Sequence, residues 1–374
     1  MNLRAPTIFN VFSHKELKTA KQQDKISRRQ DGGCMESCTE SRSERFSPAF
    51  GGRRRSVIVA AVFAIVGCAA AAIVMFGGHG CAVAAGSGLR LEDIPFNGAR
   101  AYEYLKQLCA LGPRPSGSAA MTAQQKLLAE HFRKLGGQVE FQRFRVRHPQ
   151  DDSWVPMANI LVRWNPKNPR RILLCAHYDT LPYPRMDPEN PRGRFIGAND
   201  NASGVAILME LAHDMSKLKC KYGVDFLLLD GEEFVLNDGD RLFLGSEFFA
   251  REYAAAGKNQ PRYRWGVLLD MVGDADLQLP QERNSVDWYD TRPLVNDIWA
   301  TAARLGVEEF VAKPKHEVAD DHTMLHNLGG IPCIDIIDFD YPPWHTQADT
   351  PERCSPLSLA KVGWVVEEWL KTAK

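Results

Sequence analysis

From about residue 139 to residue 337 the chain alternates short apolar runs with longer amphipathic ones, and almost every apolar run ends in a histidine or a carboxylate. Residues 139–147 alternate Val139, Phe141, Phe144 and Val146 with charged side chains, a strand with one covered face. Residues 158–164, 172–176, 226–229, 267–269 and 334–337 are short, apolar and strand-like. Helical spacing predicts helices over 97–111, 118–135, 202–218, 243–255 and 356–372, the last with Ser355 as N-cap and Pro356 at its first position. Buried strands separated by helices predict an α/β fold: a three-layer sandwich with a mixed, mostly parallel central sheet flanked by helices. Sheets of this kind bind ligands at the carboxyl ends of their strands.

Those strand ends carry the chemistry. His177-Tyr178-Asp179 follows the run at 172–176, and Asn199-Asp200-Asn201 opens the helix after it. Asp230-Gly231-Glu232-Glu233 ends the next strand, Asp270 the one after, and Asp338 lies at the end of the last. Asp320-Asp321-His322 follows a loop, and Trp344-His345 follows Tyr341-Pro342-Pro343. Imidazole and carboxylate ligands suit zinc, and a catalytic zinc keeps one position open. Neighbours at a strand end point to opposite faces, so one of Glu232 and Glu233 can ligate while the other serves as a base. Singly, each residue has an ordinary explanation: Asp200 a helix cap, Asp270 a turn, His213 a satisfied helix residue. Their concentration at strand ends is what argues for a site. Trp344 is expected to wall a substrate pocket. His322 either lines that pocket or orients a loop.

The set resembles the M28 zinc peptidase-like family over about 270 residues. The matching pieces are Ala176-His177-Tyr178-Asp179, Gly197-Ala198-Asn199-Asp200-Asn201-Ala202-Ser203-Gly204, Leu229-Asp230-Gly231-Glu232-Glu233, Leu269-Asp270-Met271-Val272-Gly273 and Trp344-His345-Thr346. The resemblance implies a zinc exopeptidase-like fold, metal ligation by Asp200, Glu233 and His345, and Glu232 as acid/base. Within the family the chain is most similar to glutaminyl-peptide cyclotransferases, on Leu111-Gly112-Pro113-Arg114-Pro115-Ser116-Gly117-Ser118, Asp320-Asp321-His322 and the stretch through Trp344-His345-Thr346. That likeness implies a single Zn2+, with Asp270 and Asp320 in contact beside it. The implied reaction cyclises an N-terminal glutamine to pyroglutamate and releases ammonia. The alternative is an aminopeptidase with two zinc ions, the second held by His177 and Asp270 with Asp200 bridging. Two details differ from the cyclotransferase pattern. Phe234-Val235-Leu236-Asn237-Asp238 holds no tryptophan, and Asn201-Ala202-Ser203-Gly204 looks more like the peptidase branch. Peptide or protein N-termini are the expected partners in either case.

The remaining sequence concerns placement. Residues 57–76 are uncharged and apolar, long enough to span about 30 Å as a helix. Arg53, Arg54 and Arg55 abut this run, so the positive-inside rule puts the N-terminus in the cytoplasm and the rest outside it. The expected organisation is a disordered cytoplasmic tail at 1–55, a transmembrane signal anchor at 56–77, a linker at 78–90 and the catalytic domain at 91–374. Cleavage near Ala82-Val83-Ala84-Ala85 and lipidation at Cys68 are the alternatives. Residues 1–55 hold 12 Lys/Arg and 6 Asp/Glu, yet the whole chain balances at 46 of each. That balance argues against a nucleic-acid binder relying on a broad basic surface. With 44% hydrophobic and 25% charged residues the chain is neither largely disordered nor collagen-like, and nine cysteines are too few for a disulfide scaffold.

Overall fold

A computed structural model describes residues 88–257 and 260–374. The expected tail and membrane span, and most of the expected linker, therefore lie outside the described residues. Among those described, no helix is long and apolar enough to cross a membrane.

The strands are β1 (Gln138–Arg147), β2 (Trp154–Trp164), β3 (Arg170–His177), β4 (Gly223–Leu229), β5 (Arg262–Asp270), β6 (Leu279–Gln281), β7 (Phe310–Pro314) and β8 (Cys333–Ile337). Six of them form one sheet in the order β1-β2-β4-β3-β5-β8. β1 and β2 are antiparallel, β2 meets β4 antiparallel, and β4, β3, β5 and β8 run parallel. The mixed, mostly parallel sheet expected from sequence is therefore present. β6 and β7 make a separate two-stranded parallel sheet.

The helices are α1 (Gly98–Ala110), α2 (Ala119–Lys134), α3 (Ser203–Leu211), α4 (Leu244–Ala256), α5 (Arg283–Asp287), α6 (Arg292–Leu305), α7 (Asp321–Asn327) and α8 (Pro356–Thr372). The strands read as continuous apolar runs because both faces are covered. In β3, Ile172, Leu174 and Ala176 join the larger core with α1, α2, α3, α6 and α8. Leu173 and Cys175 face the other way, against Phe249 and Ala250 of α4 and Leu325 of α7.

The structure adds to and corrects the sequence reading in three places. The helix expected over 202–218 is regular only through Leu211, and Ala198–Ala202 ahead of it is a wide turn with non-helical backbone at Asp200 and Asn201. Asp200 is not the cap of α3; the Asn201 side chain accepts from the Gly204 N–H instead. The sequence reading also passed over α5, α6, α7 and the β6–β7 pair. The N-cap at Ser355 is as expected, its hydroxyl accepting from the Leu357 N–H.

Candidate metal centre

Parallel β3, β4, β5 and β8 all end at one edge, so His177, Asp230, Asp270 and Asp338 begin the loops on the same side of the sheet. Gly231, at φ +80°, then turns the chain sharply, a backbone setting that glycine adopts without strain. Glu232 and Glu233 follow, and both of their backbone N–H groups donate to the buried Asp179 carboxylate, at 3.2 and 3.0 Å. The Asp200 turn is tied to the end of β5: the Asn201 amide donates to the Leu269 carbonyl at 2.8 Å, and the Gly273 N–H to the Asn199 side chain at 2.7 Å.

These ties bring the candidate ligands together. His345 Nε2 lies 3.0 Å from Glu233 Oε1 and 3.4 Å from Asp200 Oδ2. His177 Nε2 lies 3.1 Å from Asp200 Oδ1 and 3.3 Å from Asp270 Oδ1. Among four candidate ligand groups in the described residues, Asp200–Glu233–His345 and His177–Asp200–Asp270 share Asp200; the others are His177–Glu232–Glu233 and Asp320–His322–Asp335. Asp200 Oδ2, Glu233 Oε1 and Asp270 Oδ1 are buried without a hydrogen-bond partner. Buried acceptors are ordinarily satisfied, and oxygens left over beside two imidazoles fit a divalent cation.

The electrostatics agree. Burial pushes the Glu233 carboxyl well up, and the Asp200 charge adds to the shift. Burial opposes ionisation of Asp200 too, but the hydrogen bond and charge of His177 and the charge of His345 bring it below the usual range. Burial lowers His345 to about 4, against the pull of Asp200 and aided by Arg185. A neutral imidazole with a free lone pair is what a metal requires. His177 goes the other way: burial would lower it, but hydrogen bonds to Asp179, Asp200 and Asp270 raise it well above its ordinary value. Glu232 is only partly buried, and desolvation followed by the charges of Asp320 and Asp321 raises it, with His177 opposing.

Trp344 is half-buried against Phe339 and the His345 ring, centroids 4.9 and 4.1 Å away. Asp320, the N-cap of α7, is buried and raised to about 7 by desolvation and by the charge of Asp270. His322 corrects one expectation: it has no exposed surface and so does not line an open pocket. It stands behind Asp320, 3.3 Å from Glu282 and 3.8 Å from Asp335. Sequence reasoning gave no role to Asp179, Asp349, Glu282, Asp335 or Phe195, whose ring meets His345 edge-on at 6.2 Å. Asp179 stood inside a quoted motif, and that was its only signal.

The model of peptidase family M28 matches residues 159–370, more than half of the chain. The chain belongs to peptidase family M28. Among solved M28-like structures, it is similar to the glutaminyl cyclase of Fimbriiglobus ruber: 38% identity, TM-score 0.72, 75% of this chain and 96% of that one. A leucine aminopeptidase precursor from Bacteroides thetaiotaomicron aligns at 29% identity and TM-score 0.70, over 75% and 98%. Among curated relatives, the glutaminyl-peptide cyclotransferase of Bothrops jararaca is 25% identical over 263 residues, 63% of this chain and 70% of its own. The zinc exopeptidase-like architecture expected from sequence is thus that of the M28 domain.

Proposed function

We propose that this M28 domain is a zinc-dependent glutaminyl-peptide cyclotransferase that converts an N-terminal glutamine to pyroglutamate and releases ammonia. The observation that carries the activity is the likeness to glutaminyl cyclases, and the convergence of Asp200, Glu233 and His345 supports the metal. The Asp270 and Asp320 carboxyls are both buried, and desolvation followed by the Asp270 charge raises Asp320 to about 7. The cyclotransferase pattern implies that these two acids touch, and an acid that shares a proton is a poor ligand for a second cation. One complete ligand set then remains, Asp200, Glu233 and His345. Zinc held there supplies Lewis-acid polarisation of the glutamine side-chain carbonyl. The substrate's α-amine attacks that carbonyl carbon, a C–N bond forms, and the bond to the amide nitrogen breaks. Glu232 takes the proton from the amine and returns it to the departing ammonia, so water is not consumed. Asp270 and Asp320 hold the amine and the leaving group, and Trp344 covers the substrate side chain.

The rival is an aminopeptidase, favoured by the proximity of His177, Asp200 and Asp270. The two are separated by incubating residues 89–374 with a Gln-initiated and a Leu-initiated peptide. Loss of the mass of ammonia from the first, near one zinc per chain, and abolition by Glu232→Gln with zinc retained are the expected results. Release of free leucine with near two zincs sinks the cyclotransferase reading. The run at 57–76 and its arginine flank support a tethered enzyme, its catalytic domain on the non-cytoplasmic side.

A further inference from the structure

Four residues after His345 the chain buries one more carboxylate, Asp349, with no exposed surface. Its Oδ1 accepts from the Asn199 N–H at 2.8 Å and from the Tyr341 hydroxyl at 2.9 Å. Its Oδ2 accepts from the Asp200 N–H at 3.1 Å. One carboxylate thus takes two donors from the turn that carries Asp200 and one from the head of the Tyr341-Pro342-Pro343-Trp344-His345 run. Tyr341 is itself buried, in a small cluster with Met271, which follows Asp270, and Ile337 at the end of β8. His345 sits at φ 57°, and its carbonyl accepts from the Met186 N–H at 3.0 Å. A non-glycine residue keeps such a backbone only where its surroundings over-determine it.

We propose that Asp349 is a positioning residue for the metal site. It fixes the Asp200 turn against the His345 loop so that both side chains meet at one cation, and it touches neither cation nor substrate. The inference rests on the zinc reading above. Asparagine cannot take its place: it keeps one acceptor oxygen but turns an amide NH2 toward a backbone N–H, stranding a buried donor. Changes in residues that orient ligands cost about 10- to 100-fold in metal affinity.

Zinc affinity is measured by chelator competition on wild-type, Asp349→Asn and Tyr341→Phe proteins, alongside thermal unfolding of each in its metal-free form. Asp349→Asn is expected to weaken zinc by about 10- to 100-fold. Tyr341→Phe, which removes one of the three donors and keeps the ring, weakens it in the same direction by less. A merely structural Asp349 lowers the metal-free unfolding midpoint and leaves the zinc Kd of the folded protein unchanged; that result overturns the proposal. If Asp349→Asn does not fold, unchanged affinity in Tyr341→Phe overturns it alone. Wild-type protein that binds no zinc overturns the functional reading and this one with it, whereas zinc-replete wild type beside an unaltered Asp349→Asn overturns only this one.

Discussion

Asp338 shows how one residue's surroundings set a property of the whole protein. It lies just past β8 and is buried, and burial followed by the charge of Asp274 pushes its carboxyl up to about 7, with N–H groups of Gln278 and Asp340 opposing. Its folded value is above its unfolded one, so the native state holds that proton more tightly. The stability it contributes is full below about pH 4 and is lost as pH rises through about 7. The thermal midpoint of wild type should therefore fall between about pH 5 and about pH 8 more steeply than that of Asp338→Asn; parallel curves refute this. Residues at this scale were legible in sequence where a candidate role rests on side-chain chemistry in a connection after a strand, as with Asp200, Glu233 and His345. Asp179 and Asp349 were not, because they act on backbone N–H groups that any sequence supplies. The sequence leaves His322 between lining the pocket and orienting a loop, because a histidine after two aspartates looks the same whether its ring is open or sealed behind Asp320.

Elements were legible in proportion to their periodicity. Of the six strands of the main sheet, five were foreseen from short apolar runs and β1 from the alternation of apolar and charged residues that one covered face leaves. The 338–349 segment was legible only as a turn. In the structure it is pinned by short-range bonds, Tyr341 N–H to Asp338 O, Trp344 N–H to Tyr341 O and Thr346 N–H to Pro343 O, and it presents Trp344 beside His345. If it forms the substrate wall, Trp344→Ala should raise KM for a Gln-initiated peptide about 10-fold or more while zinc content stays at the wild-type level. A normal KM, or loss of metal, refutes the assignment. Helices α5 and α7 were missed because they are only five and seven residues long; α6 was missed although Pro293 in its first turn and Gly306 at its end mark it.

At the scale of the whole molecule, the expected membrane run and the catalytic domain make one topological prediction. Protease added to the outside of intact cells or vesicles, on the non-cytoplasmic face, should digest the domain while sparing the segment before residue 56; complete protection contradicts the orientation. The overall fold was legible from alternation alone, and the site from what stands at strand tips. The candidate ligands Asp200, Glu233 and His345 come from three separate connections spread over nearly 150 residues of chain, the last of them beyond β8. A chain ending before that point lacks the third member of this set. If zinc binds as proposed, loading of this set waits until synthesis has passed residue 345.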